Sequence, residues 1–214
     1  MDANRKTCQG CWTCRALLDQ KPLCPSCGAV QPPNPEEDFF HVFGLDHLFD
    51  VDATVLEQVY QERQRQLHPD RFAGRPETER RFSVEQAAQI NAAYQTLRSP
   101  FTRAAYLLKL AGRPASGDGG SIKDPAFLME IMELREELDA IDPHSRGAEE
   151  RLRRMRKAME DRMSGEISAI GAAFRDYFAE GDPQRLNDAG KRVERLNYYR
   201  RYLEELDRKE EELY

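Results

Sequence analysis

Two groups of residues have types and spacings that could do chemistry. Cys11-Trp12-Thr13-Cys14 and Cys24-Pro25-Ser26-Cys27 form a paired CxxC array, with nine residues between the pairs. The two-residue spacer lets both thiolates of a pair face one ion, and two such pairs complete a tetrahedral four-sulfur site. That donor set is the one structural zinc uses; rubredoxin-like iron takes the same geometry and stays open. Cys8 reads as a spare thiol, because a ferredoxin run needs three residues before its fourth cysteine and nine intervene here. A dithiol redox role belongs to a βαβ context that this chain does not offer. All five cysteines fall within the first 27 residues, and clustered cysteines in a reducing compartment are metal ligands more often than disulfides.

The second group is His68-Pro69-Asp70. A proline at a turn stiffens it, so His68 and Asp70 can project with little ordering entropy left to lose on docking. An exposed Asp70 carboxylate can take a bidentate arginine from a partner. Arg63, Arg65 and Arg71 set positive charge beside it, a small basic face suited to steering an acidic partner. Pro and Asp also make ordinary turns. An enzyme reading, with His68 as base and Asp70 as its orienter, is awkward across a proline, and no nucleophile accompanies it. No phosphate-cradling Gly-rich loop is present, so the chain is not expected to hydrolyse ATP itself, and it is expected not to be an enzyme.

Helices must position these groups. Asp52 can cap a helix ending at Leu67, with Val55, Leu56, Val59, Tyr60 and Leu67 on one stripe. Pro69 stops it, a loop with Gly74 and Pro76 follows, and a second long helix runs over 77–98 on the stripe Phe82, Gln86, Ile90, Ala93, Tyr94 and Leu97. Two long helices around a proline-interrupted loop predict an antiparallel hairpin, closed by short helices over 39–43 and 101–110. Ser99-Pro100 opens the latter. Three more helical patterns follow, each announced by Asp-Pro at Asp124, Asp142 and Asp182, and short gaps between them predict an antiparallel three-helix bundle. Gly165 and Gly171 lie inside the second, where each costs about 1 kcal/mol relative to Ala, and the sequence supplies no reason for them. The chain is therefore expected to be all-α behind a small zinc-knuckle module. The expected segments are 1–35 (cysteine module and Pro-rich spacer), 36–112 (a four-helix domain), 113–123 (linker) and 124–214 (the bundle). Pro32-Pro33-Asn34-Pro35 cannot be helical and is expected to insulate the cysteine module from the helices.

Composition bounds the rest. The 214 residues are 33% charged and 40% hydrophobic, with a formal charge of −6. No apolar stretch reaches the roughly 18 residues of a membrane helix. The acidic balance argues against general nucleic-acid affinity. A zinc-ribbon nucleic-acid binder would need a basic face, and only Arg5, Lys6, Arg15 and Lys21 flank the cysteines. The polar start has no apolar h-region and no Arg-rich presequence, which points to a bacterial cytoplasm rather than a mitochondrial matrix.

The surroundings of His68-Pro69-Asp70 resemble the J-domain, whose signature tripeptide lies between its second and third helices. Asp38-Phe39-Phe40-His41-Val42-Phe43-Gly44-Leu45 looks like that family's opening. Arg103-Ala104-Ala105-Tyr106-Leu107-Leu108 and the run Ile122 to Leu138 resemble the HscB/Jac-type co-chaperones of iron–sulfur cluster assembly, and the likeness extends from Asp38 to the end of the chain. A cysteine-bearing extension is similar to that of some members. The resemblance implies a partner ATPase of the DnaK class, HscA-like, met through His68, Pro69 and Asp70. It also implies a scaffold protein, IscU-like, met through Leu128, Met129, Met132, Glu133 and Glu136, with Tyr198 nearby; Ala140 stands where the family often carries an acid. Periodicity separately places Phe127, Ile131, Leu134, Leu138 and Ile141 on one packing stripe and leaves Leu128, Met129 and Met132 outside it, an apolar patch beside acids that suits a protein partner. A J-protein delivering other clients remains the rival, favoured if Leu128 and Met129 were buried, and a homodimer stays open.

Overall fold

The structure is a computed structural model that describes residues 10–18, 21–113, 122 and 124–213. Cys8, Arg5, Lys6 and most of the 113–123 linker lie outside the described residues. Among the described residues the secondary structure is helical, apart from a 3₁₀ turn and two isolated antiparallel bridges, Gly10 with Leu17 and Leu23 with Val30. Among the described residues no helix is long and apolar enough to cross a membrane.

Contacts cluster into two units. The first comprises residues up to His47 together with Val51–Arg98. Here α1 (Phe39–Phe43) starts at Asp38, whose carboxylate accepts from the Phe40 and His41 N–H groups, and stops at Gly44. Gly44 can hold φ +67 because it lacks a Cβ. Next, α2 (Ala53–Leu67) starts at Asp52 as its composition predicts, the 3₁₀ turn spans Pro69–Phe72, and α3 (Glu77–Arg98) returns along α2. Tyr60 and Tyr94 stack across that hairpin with centroids 4.0 Å apart. Phe40, Leu56, Leu67, Ile90, Ala93 and Leu97 fill the core, whereas Val55, expected on the packed stripe, is exposed.

The extension is not insulated from these helices, contrary to the expectation drawn from its prolines. The Gln86 and Gln89 side-chain amides of α3 donate to the Gln31 and Asn34 carbonyls at 3.1 and 2.9 Å. Trp12 meets Phe82 edge to face at 5.9 Å. Prolines fix the direction of the spacer and remove donors, but they leave carbonyls free to accept, and α3 uses carbonyls of this stretch.

The second unit joins Leu48–Asp50 to Ser99 and all that follows. It holds α4 (Pro100–Leu110), α5 (Pro125–Asp139), α6 (Ala148–Glu180) and α7 (Pro183–Glu211). The helix grouped by sequence with the first domain thus packs with α7, where Arg200 lies over the Phe101 ring at 4.9 Å. α6 and α7 run antiparallel: Arg156 pairs with Glu210 at 2.8 Å, buried Glu166 with Arg192 at 2.7 Å, and Asp176 with Arg185 at 3.6 Å. α5 joins through Arg135, which donates twice to Glu205, and through Tyr202, which donates to the Leu134 carbonyl. Only two of the three Asp-Pro pairs open a helix. Asp142 instead makes a turn, accepting from His144 N and Ser145 N, and α6 starts after Gly147 at φ +86.

Gly171 now has a reason. A Cβ there would lie 3.0 Å from a ring carbon of Phe49, which stacks on Phe174 and is covered by the Arg103 guanidinium. Gly165 faces open space. Gly165→Ala should therefore stabilise the chain by about 1 kcal/mol. Gly171→Ala should destabilise it by about 1 kcal/mol or more, because Phe49 is held on both sides and overpacking exceeds the propensity gain. Urea unfolding of the two variants checks this; shifts of the same sign would contradict it.

Candidate functional site

The two CxxC segments fold as matching knuckles. Cys11 N–H donates to the Ala16 carbonyl and Arg15 N–H to Cys11, while Cys24 N–H donates to Ala29 and Gly28 N–H to Cys24. Each knuckle turns through a left-handed residue, Arg15 at φ +61 and Gly28 at φ +73. Cys11 and Cys24 are buried, Cys14 and Cys27 exposed, and the four sulfurs lie within 4.8 Å of one another. Cys11 Sγ is 3.7 Å from Cys27 Sγ, and Cys14 Sγ is 3.6 Å from Cys24 Sγ. A tetrahedron with metal–sulfur bonds of ~2.3 Å has edges of about 3.8 Å, so the sulfurs fit a single ion.

The electrostatics point the same way. Burial opposes the Cys11 thiolate, yet the N–H groups of Cys14 and Thr13 directed at its sulfur outweigh it and bring the thiol down to about 6. The Cys27 N–H likewise lowers the pKa of Cys24. Cys27 goes the other way: the Ala29 N–H favours its thiolate, but burial and the neighbouring sulfurs push it up to about 12. Four thiolates cannot crowd together uncompensated, and a cation held among them would supply the missing charge. Gln31 closes the outer shell, donating to Cys11 Sγ at 3.4 Å while its carbonyl accepts from α3.

His68 closes α2, and Pro69 and Asp70 form the first half of the 3₁₀ turn. Asp70 is 90% exposed and His68 56% exposed, with His68 Nδ1 3.6 Å from an Asp70 carboxylate oxygen. The loop is held from below: Arg71 N–H donates to the His68 carbonyl, and the Arg71 guanidinium donates to the Arg65 carbonyl at 2.9 Å. Arg65 pairs with Glu62 at 2.7 Å, and Arg63 is half-buried. Of the three arginines named from sequence, Arg71 thus braces the turn.

On α5 the two sides separate as the periodicity predicts except at Leu128 and Leu134, which are alike half-buried. Phe127, Ile131, Leu138 and Ile141 are buried, and Leu134 is half-buried. Met129 and Met132 are 63% and 61% exposed, Leu128 is half-buried, and Glu133 and Glu136 are exposed. Tyr198 of α7 lies edge-on to Phe127 at 5.6 Å, which sets it near the start of α5. The N-terminus of α5 is pinned by Asp124, which caps it and pairs with Arg195 at 2.7 Å, and Arg195 reaches on to Glu166 at 3.5 Å. The sequence announces the Asp124 cap but not its pairing with Arg195, which lies far along the chain and carries no local signal.

The family described as "HSCB C-terminal oligomerisation domain" matches residues 123–207. The "Iron-sulfur cluster co-chaperone protein HscB homolog" of Arabidopsis thaliana is 33% identical over 203 residues, 94% of this chain and 74% of that protein. The chain belongs to the HscB family of co-chaperones. Solved HscB structures agree. The human co-chaperone HscB superposes with a TM-score of 0.81 at 29% identity, covering 94% of this chain and 98% of the human one. Chaperone HscB from Vibrio cholerae gives 0.70 at 32% identity, covering 83% and 100%. The all-α architecture and the iron–sulfur co-chaperone class expected from the sequence are those of this family.

Proposed function

We propose that this HscB-family chain binds an IscU-like iron–sulfur scaffold through α5, presents it to an HscA-like ATPase of the DnaK class, and speeds ATP hydrolysis there through His68-Pro69-Asp70. The observation that carries the proposal is the exposure of Asp70 on a turn braced from beneath. A carboxylate in that setting is ready to accept an arginine without first breaking an internal bond. The chain performs no bond-breaking step of its own in this reading; it acts by position. Leu128, Met129 and Met132 form the apolar part of the scaffold face and Glu133 and Glu136 its charged edge, with Tyr198 at its border. Met is well suited to such a surface because its unbranched side chain adapts to the partner. The exposure of Met129 and Met132 favours this assignment over delivery of unspecified clients. Cys11, Cys14, Cys24 and Cys27 would hold zinc as a structural ion, with iron the alternative that metal analysis decides.

Replacing Leu128, Met129 and Met132 together by Ala should weaken scaffold binding roughly tenfold to a hundredfold, since a few central apolar contacts carry most interface energy. Stability should fall only modestly, because the two methionines are mainly exposed and Leu128 is half-buried rather than in the core. Calorimetric titration with purified IscU-like protein reads the effect. An unaltered dissociation constant would place the interface elsewhere.

A further inference from the structure

The described residues contain a second convergent set of metal-ligating side chains, sharing none with the cysteine site: Asp38, His41 and His47. The local fold builds it. Asp38 caps α1 with one carboxylate oxygen only, Oδ1, which accepts from Phe40 N at 2.9 Å and His41 N at 3.1 Å. Oδ2 is left over. His41 lies three residues on, and its Nδ1 meets that oxygen. Gly44 then reverses the chain, with Gly44 N–H on the His41 carbonyl and Leu45 N–H on the Phe40 carbonyl, both at 2.9 Å. The reversal returns His47, whose Nε2 lies 3.0 Å from the same Oδ2. The His47 ring is seated edge-on against fully buried Phe40 at 5.4 Å and against His41 at 5.2 Å.

Helix capping needs only Oδ1, so it does not explain two imidazoles on Oδ2. All three donor atoms lie within 4.8 Å of one another. Two imidazole nitrogens and one carboxylate oxygen make the three-ligand set of open zinc-type sites, in which bonds of ~2.0–2.1 Å set donors about 3.3 Å apart. The 3.0 Å pair needs only a small outward shift to admit an ion. The histidines are 51% and 41% exposed and the aspartate 17%, so one side of the set faces solvent.

We propose that Asp38 Oδ2, His41 Nδ1 and His47 Nε2 form a second metal site that takes one divalent first-row transition ion of the zinc class. Its remaining coordination falls to water or to a donor from a partner. With three ligands and open access it binds more weakly than the four-sulfur site and exchanges its ion more readily. Occupied, it ties the start of α1 to the turn after it.

The test uses the full chain, loaded first with one equivalent of zinc and then titrated with cobalt(II). One further equivalent should bind, with ligand-field absorption but no new thiolate charge-transfer band. His41→Ala and His47→Gln should each weaken that second step roughly tenfold or more, with helical circular dichroism unchanged. In the unsubstituted chain, zinc beyond the first equivalent should move the ring resonances of His41 and His47 and leave those of His68 and His144 in place; these are all four histidines. The Cys11→Ser, Cys27→Ser chain should lose the sulfur-held equivalent and keep the histidine-held one, so the two assignments fail separately. No second equivalent, or one retained by both histidine variants, overturns the proposal.

Discussion

Asp70→Asn should leave the helices intact and remove nearly all stimulation of ATP hydrolysis in the DnaK-class partner. The substitution keeps shape and volume and changes only the charge. Asp70 is 90% exposed, and His68 Nδ1 stands 3.6 Å from its carboxylate, beyond hydrogen-bond distance, so the fold loses almost nothing. Docking loses far more. A carboxylate holding an arginine is a charge-assisted pair, about twice as strong as its neutral counterpart, and removing one partner leaves the other desolvated and unpaired. An effect of about thirtyfold or more on stimulation is expected on that scale. Scaffold titration of the same variant should be unchanged, because α5 belongs to the other compact unit. A folded Asp70→Asn chain retaining most of its stimulation would remove the tripeptide from the mechanism.

The parts of this protein that were legible in the sequence are those set by local rules. Asp52, Asp124 and Asp182 announce helices because a carboxylate accepts from unpaired first-turn N–H groups, and all three do so. The CxxC spacing is equally local, since two intervening residues decide whether both sulfurs can face one ion. Long-range pairings were not legible. Nothing near Gly171 in the chain predicts Phe49, more than a hundred residues earlier. Asp142-Pro143 carries the same signal as its two counterparts, yet buried Ile141 and the turn that follows it postpone the helix to Ala148. One long-range contact did leave a trace in the sequence. Gln86 sits on the apolar stripe of α3, and a polar residue there must find a partner when buried; it finds the Gln31 carbonyl. Asp38, His41 and His47 were likewise visible as residues, but only the reversal at Gly44 makes them a set.

Removing the metal from the cysteine knuckles should therefore do more than disorder a tail. A segment this short has too little apolar area to fold unaided, so its order should depend on an ion held by the four cysteines. What it covers depends on it too. The docked extension supplies the Gln31 and Asn34 carbonyls as acceptors to Gln86 and Gln89, and Trp12 as an aromatic partner to Phe82. It also lines a small cavity of about 80 Å³ with Leu18, Pro22 and Pro32 against Val42 and Ile90. Two hydrogen bonds near 1 kcal/mol each and one aromatic pair near 1 kcal/mol sum to roughly 3 kcal/mol. For a unit of this size that is a fall of about 10 °C or more in thermal midpoint. Helical circular dichroism at 25 °C should stay close to that of the intact chain, because Phe40, Leu56, Leu67 and Leu97 still pack α1, α2 and α3 together. Trp12 is the one tryptophan in the chain, and its indole N–H donates to the Val30 carbonyl at 2.7 Å, so its emission reports the undocking directly. Chelation, or Cys11→Ser with Cys27→Ser, should shift that emission to longer wavelength and lower the first melting transition together. An unchanged melting profile alongside a shifted Trp12 would mean that the extension is ordered by metal but contributes nothing to the helices beneath it, as its prolines alone suggest.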